Sequence, residues 1–493
     1  MSSEHIHLIL IGNAVTLSAL MHHAQPRLEF IPQHFNPLVL QVAQWFLPVM
    51  LRFRLRRWLP AGISHVEAVN VEGLVDLYQK FQAGKIRFLI AFHHPEVDDP
   101  LCMWYLLSRA VPRVARQQGI QLQYPIHSHF IYERGMTLWA GNWLGWFFSR
   151  LGGTPIHRGK QLDWSGMRAA RELFVNGKFP IAVAPEGATN GHSEIISPLE
   201  PGVAQLGFWC VEDLHKANRP EQVFILPIGI QYSYVEPPWS KLDWLLSQLE
   251  ADSGLPVQHI EPSAIDNPPE IYYQRLFHLG EHLLGEMEQF YQRFYHQNLP
   301  ELSSMGIDSS ANPHQVLEVR LQRLLDVALR VTEEYFGLQP NGTIIDRCRR
   351  LEEAGWRYVY LDDFSDIQAL NALPPLKRGL RDWVAQEAEL RLRHMRLVES
   401  FTAVTGTYVK EKPTVERFAE TALIMFDLIA RIKGKKIPRR PQLGWRQARV
   451  SVGEPISVSD RWLTYQTSRH AARVAASELT QQLQRALEKL ISA

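Results

Sequence analysis

The apolar run Ile86-Arg87-Phe88-Leu89-Ile90-Ala91 passes without a linker into Phe92-His93-His94-Pro95-Glu96-Val97-Asp98-Asp99-Pro100-Leu101. The run reads as a buried strand, so its polar continuation stands at a strand end, held by rigid scaffold. A histidine with a carboxylate five residues on, across a turn, can pair as a base and its orienter, because the carboxylate fixes the tautomer and stabilises the imidazolium. Two registers fit: His93 with Asp98, and His94 with Asp99. Asp99 precedes Pro100, which biases it toward extended backbone and makes it a natural N-cap for the helix that begins at Pro100. Asp98 is then left to meet His93, the favoured register, with His94 and Asp99 as the alternative.

Further segments support a site. In Leu151-Gly152-Gly153-Thr154-Pro155-Ile156-His157-Arg158-Gly159-Lys160, Arg158 lies between a short apolar run and a glycine, where a guanidinium can grip a phosphate through two parallel hydrogen bonds. Phe179-Pro180-Ile181-Ala182-Val183-Ala184 reads as another buried strand and runs into Pro185-Glu186-Gly187-Ala188-Thr189-Asn190. Gly187 lets backbone N–H groups approach a ligand, and Thr189 and Asn190 add donors for a phosphate or carbonyl oxygen. Phe224-Ile225-Leu226-Pro227-Ile228-Gly229-Ile230 suits an irregular strand bordering a groove.

In this order the four blocks resemble the glycerolipid acyltransferase family, including the lysophosphatidate acyltransferases, whose first motif is a histidine, four residues, then an aspartate (HxxxxD). His93 and Asp98 match that motif, Ile156-His157-Arg158-Gly159 the second block, Pro185-Glu186-Gly187 the third and Leu226-Pro227-Ile228 the fourth, over about residues 60–235. Two positions depart from the pattern. Phe92 stands where asparagine is usual, and Ala188-Thr189 where Thr-Arg commonly follows Pro-Glu-Gly.

The resemblance implies an α/β fold, a mixed sheet flanked by helices. It implies transfer of a fatty acyl group from a thioester to a lysophospholipid hydroxyl, with 1-acyl-sn-glycerol-3-phosphate as the acceptor in phospholipid synthesis. No metal, other cofactor or covalent enzyme intermediate is expected, and acyl-CoA or acyl carrier protein is the donor. On this basis His93 is expected to deprotonate the hydroxyl and Asp98 to orient the imidazole. Arg158, with Pro185, Glu186, Gly187 and Thr189, is expected to hold the acceptor's phosphate. Two other classes suit these residues: a metal-dependent hydrolase using His93, His94, Glu96, Asp98 and Asp99, with His127 and His129 as further ligands, and a catalytically silent lipid-binding protein on the same fold.

Composition sets limits. A chain of 493 residues, 46% hydrophobic, can bury a large core and has room for more than one domain. Its formal charge of +1, with no long basic run, does not suggest nucleic-acid binding. The cysteines, Cys102, Cys210 and Cys348, are far apart and lack metal spacing, which fits a reducing compartment.

No stretch reaches the roughly 18 uninterrupted apolar residues of a spanning helix, so a peripheral position on the cytoplasmic face of a membrane is expected. The docking candidate is Leu38 to Leu51 followed by Arg52, Arg54, Arg56 and Arg57; a second is Trp139, Trp143, Trp146, Phe147 and Phe148.

The expected organisation is an N-terminal extension over 1–27, a membrane-interfacial helical segment over 28–60, an acyltransferase core over 61–250, a helical insertion over 251–440, and a final strand and helix over 441–493 that complete the core. Residues 1–23 lack the basic residues that precede the apolar part of a secretory signal. Apolar positions at three-and-four spacing among Arg, Glu and Gln mark the insertion, in which His394 and Glu399 are expected on a solvated helix face.

Overall fold

Ile86–Phe92 (β2) is buried along its whole length and lies inside a mixed sheet. The computed structural model describes residues 23–54, 62–136, 141–157, 163–257, 268–305, 312–401, 407–435 and 438–492. Besides β2 the sheet contains Ile63–Val69 (β1), His129–Glu133 (β3), Gly153–Ile156 (β4), Ile181–Val183 (β5), Gln222–Tyr234 (β6), Arg446–Val452 (β7) and Ile456–Ser457 (β8). The order is β1-β7-β6-β2-β5-β3-β4, with β8 pairing on β6. Neighbours run parallel except where β6 meets β7 and β8.

A parallel strand in mid-sheet must be apolar on both faces, because crossover helices cover both. On one face Val71–Gln82 (α2) and the helix that starts with Asp99–Tyr105 (α3) pack on Phe88, Ile90 and Phe92. On the other, Trp164–Asn176 (α5), Gly202–Lys216 (α6) and Arg469–Ser492 (α13) enclose Leu89 and Ala91. The one charged side chain in the run is hydrogen-bonded locally: Arg87 donates from Nε to Phe174 O at 2.8 Å and from Nη2 to Gly177 O at 2.8 Å. The antiparallel turn-about of β7 matters for chemistry, since it sets the start of β7 beside the carboxyl end of β6, with Arg446 opposite Tyr234.

Pro37–Arg52 (α1) begins as its sequence demands: Asn36 accepts from the N–H groups of Leu38 and Val39, with Pro37 at the first position. Asn142–Arg150 (α4) lies beside it in a small cluster of Leu40, Ala43, Phe147 and Leu151.

The chain divides into two units. The α/β unit comprises 30–157, 163–285 and 403–493, and the other includes 286–402. Helices Pro268–Tyr295 (α8) and Val415–Ile432 (α12) fall within the span expected for the insertion. Yet Tyr272, Leu276 and Leu279 of α8 and Phe418 of α12 share an apolar cluster with Trp239–Asp252 (α7) inside the α/β unit. The second unit is the helical region that follows β6, built on Pro313–Phe336 (α9), Ile344–Val359 (α10) and Pro375–Phe401 (α11). Here the expectation for His394 fails. Its ring is buried, with Nδ1 at 2.7 Å from the Tyr291 hydroxyl and Nε2 at 3.0 Å from that of Tyr295. Glu399 accepts from Arg349 at 2.8 Å.

Candidate active site

The site gathers where parallel strands end. His93 directly follows β2, its N–H donating to Ile228 O of β6 at 2.9 Å, so the strand ladder itself holds the backbone of the histidine. Glu186 follows β5 in Pro185-Glu186-Gly187. The turn requires a left-handed residue, which Gly187 supplies at φ +78°, with its N–H on Ala184 O at 3.3 Å. Gly191 N–H donates to Pro95 O at 3.0 Å, which ties the loop after β5 to the loop after β2.

These two loops place His93 on Glu186. Nδ1 of His93 is 2.7 Å from Oε1 of Glu186, and both side chains are fully buried. The same Oε1 accepts the N–H of His94 at 2.8 Å; Oε2 accepts from Ser197 N–H at 2.8 Å and from the Asn190 side-chain amide at 3.2 Å. Burial alone would raise the Glu186 carboxyl, but the His93 imidazole and these donors outweigh it and hold it below the usual carboxylate range. With an anion at Nδ1, the neutral imidazole carries its proton there and its lone pair on Nε2. That Nε2 is buried and has no hydrogen-bond partner among the described residues.

The expected partner of His93 is therefore corrected. Oδ2 of Asp98 accepts from Arg446 Nη2 at 2.8 Å, and Asp98 occupies the N-cap position of α3 through its backbone rather than its side chain. Asp99, expected to be that cap, is the first helical residue, fully buried. Its Oδ2 takes the Glu96 N–H at 2.8 Å and the His94 Nδ1 at 2.9 Å, while Oδ1 takes the Tyr232 hydroxyl at 2.5 Å. Asp99 N–H in turn donates to Glu96 O at 3.2 Å, so one carboxylate closes the turn that a cap would have opened. The alternative register thus forms a contact pair, His94 with Asp99. Burial raises the Asp99 carboxyl in spite of those donors. The His94 side chain retains 20% exposure.

A second arginine arrives from the same distant stretch as Arg446. Arg440 Nη1 is 3.1 Å from Glu96 Oε1, and its Nη2 is 2.9 Å from Asp427 Oδ2 of α12. Arg440 and Arg446 sit more than 340 residues from Glu96 and Asp98, and no local pattern marks them.

Of the residues assigned to phosphate binding, Arg158 lies outside the described residues. Pro185 and Gly187 are buried, and Thr189 is exposed. Glu186 is a buried carboxylate whose oxygens are engaged by His93, His94, Asn190 and Ser197. Leu226, Pro227 and Ile228 lie in β6 at the β2 interface. Among the described residues, no group of three or more His, Cys, Asp and Glu side chains is placed to hold a metal ion.

A mixed α/β sheet flanked by helices is consistent with the fold of an acyltransferase, and the family match assigns that class. Residues 68–231, from the end of β1 into β6, match the family model described as acyltransferase and form an acyltransferase domain of the glycerolipid acyltransferase family. No curated protein matches the chain.

The α/β unit also exposes a line of large apolar side chains. On α1, Leu40, Ala43, Leu47 and Leu51 face inward, while Leu38, Val42, Trp45, Phe46 and Val49 face out, Trp45 at 73% exposure. Trp143 and Trp146 of α4 are also exposed. Arg54 turns toward the protein instead, Nη2 donating to Arg440 O at 2.7 Å, and Arg56, Arg57 and Trp139 lie outside the described residues. No described helix is long and apolar enough to cross a membrane.

Proposed function

We propose that the acyl group is a fatty acyl chain, moved from an acyl thioester of coenzyme A or acyl carrier protein to the free hydroxyl of a lysophospholipid. The favoured acceptor is 1-acyl-sn-glycerol-3-phosphate, and the product enters phospholipid synthesis. His93 is the general base. As the hydroxyl oxygen attacks the thioester carbonyl, its proton passes to Nε2; the carbon–sulfur bond then breaks, and the leaving thiolate takes that proton back. The chemistry consumes no cofactor. Arg158 grips the acceptor phosphate. The exposed face of α1 with Trp143 and Trp146 rests on the bilayer, so the acceptor's chain stays in lipid while its head group reaches the strand ends.

One observation carries this reading: within an acyltransferase domain, His93 holds a carboxylate at Nδ1, and its Nε2 has no hydrogen-bond partner among the described residues. A buried polar nitrogen left without a partner costs roughly 1–3 kcal/mol, a cost that makes sense where a substrate hydroxyl fills the position. The test is acyl transfer from a labelled thioester to a panel of lysophospholipids, with and without chelator. Chelator-resistant transfer to a lysophospholipid is expected. Chelator-sensitive hydrolysis would replace the reading with a metal hydrolase, and binding without turnover with a silent lipid-binding protein.

A second reading makes His94 the base, favoured by its greater exposure. Its carboxylate argues against it. Charge balance for an imidazolium needs a ready anion, and burial raises Asp99 whereas Glu186 is held low.

A further inference from the structure

The two loops that meet at the strand ends, residues 93–98 and 185–200, contain no arginine or lysine. The cations near them come from elsewhere in the chain: Arg54, just past the end of α1, and Arg439, Arg440 and Arg446 from the stretch that leads out of α12 into β7. We propose that Arg54 and Arg439 form a binding site for a phosphate group of a substrate, beside the loop that carries His93 and His94. The inference rests on the proposed transfer between phosphate-bearing substrates, and it holds whichever of the two histidines is the base.

Charge matching carries it. Arg440 faces Glu96 at 3.1 Å and Asp427 at 2.9 Å, and Arg446 faces Asp98 at 2.8 Å. Those pairs engage both Glu96 and Asp98 of the loop after β2. Arg54 and Arg439 have no carboxylate partner among the described residues. Arg54 is half-buried; its Nη2 donates to Arg440 O at 2.7 Å, and its Nε is buried with no hydrogen-bond partner among the described residues. A carbonyl takes one N–H and leaves the charge unmatched. Burial, then the neighbouring Arg439 and Arg446, work against the charged form of this guanidinium, and Asp98, which works for it, is already held by Arg446. A cation partly stripped of water among like charges is costly until an anion joins it.

Geometry names the anion's class. Arg439 is exposed, so the pair opens to solvent and to an incoming ligand. Two guanidinia on separate chain segments present several N–H donors at fixed angles, which suits the tetrahedral oxygens of a phosphate better than a single planar carboxylate. Such a group is carried both by a 1-acyl-sn-glycerol-3-phosphate acceptor and by a coenzyme A donor.

Initial rates of Arg54→Gln, Arg439→Gln and the double variant, with each substrate in a phosphate-bearing and a phosphate-free form, provide the test: lysophosphatidate against monoacylglycerol as acceptor, and acyl-CoA against an acyl N-acetylcysteamine thioester as donor. Each single variant is expected to raise the KM of one phosphate-bearing substrate at least about tenfold, with kcat and the KM of its phosphate-free counterpart little changed. Arg54→Lys, which keeps the charge, is expected to recover part of the loss. A rise confined to lysophosphatidate assigns the site to the acceptor, and one confined to acyl-CoA assigns it to the donor. Equal changes with and without the phosphate would overturn the proposal. Binding without turnover separates it from the proposed reaction: inorganic phosphate should raise the Tm of the wild type, and the double variant should lose most of that shift, even if no lysophospholipid is acylated. An equal shift in both proteins, or none in either, overturns the site. So does an unchanged KM for every substrate combined with weaker binding of the double variant to anionic vesicles, which would give the two arginines to the bilayer surface.

Discussion

Arg446, the first residue of β7, donates to Oδ2 of Asp98 at 2.8 Å across 348 positions of sequence, and so joins the strand after the helical region to the loop that carries His93. Asp98 is fully buried and Arg446 nearly so. Removing one partner of such a pair leaves a desolvated charge, so Asp98→Ala is expected to cost about 3–5 kcal/mol of stability and Asp98→Asn, which keeps an acceptor oxygen, less. Denaturant unfolding checks the cost. An Asp98→Ala variant as stable as the wild type would mean that the pair contributes nothing.

His93→Ala is expected to reduce acyl transfer at least ~10²-fold with the fold intact, because it removes the base. His94→Ala, which gives up a hydrogen bond to Asp99, should stay within about tenfold of wild type, since that bond contributes roughly 1 kcal/mol. Activity lost in His94→Ala and kept in His93→Ala would transfer the role to the alternative pair.

Arg158→Ala is expected to raise the acceptor KM while leaving the donor KM and kcat nearly unchanged, since a phosphate contact made alike in ground and transition states contributes uniform binding. Initial-rate measurements with each substrate varied in turn decide it. An unchanged acceptor KM would take Arg158 out of the site.

On α1, Leu38 and Trp45 are 69% and 73% exposed. Replacing both with glutamine should weaken binding to anionic phospholipid vesicles at least about tenfold, given roughly 1.5–3 kcal/mol for each large apolar side chain withdrawn from lipid. Vesicle sedimentation at low and high salt measures it, and the loss should persist at high salt because it is apolar in origin. Turnover of a soluble short-chain acceptor should survive. Equal vesicle binding by variant and wild type would assign the face to another purpose.

The imidazoles of His127 and His192 are buried, and loss of hydration brings each down to about 4. An unfolded histidine takes up its proton near 6.5, so below that pH the unfolded chain binds protons that the folded chain refuses. The contribution of each is complete above about 6.5 and lost as pH falls from there toward 4, at up to about 1.4 kcal/mol per pH unit. Glu420, raised by burial to about 7, acts in the opposite sense over part of this range. Comparison of His127→Asn with wild type cancels that common background. The variant's unfolding free energy is expected to fall less steeply between pH 6.5 and 4; an identical slope would show that His127 is protonated in the fold.

Much of the frame was legible in order along the chain. A buried strand shows itself by continuous apolar residues, a helix start by Asn36-Pro37, and a turn by Pro185-Glu186-Gly187, because each depends on neighbours a few positions apart. The four blocks in their order pointed to an acyltransferase, and the domain match and the α/β sheet bear that out. Such local signals also located His93 at a strand end.

What they could not decide was which carboxylate meets which imidazole. Spacing offered two registers within one loop, of which His94 with Asp99 forms, but the partner of His93 in the structure, Glu186, is 93 residues from it, and Asp98 is claimed by an arginine 348 residues away. Local spacing limits only which neighbours can touch. A buried charge takes the partner that best compensates its lost hydration, and strand pairing alone decides which partners arrive: β5 parallel beside β2 delivers Glu186, and the reversal of β7 against β6 delivers Arg446 to the same sheet end.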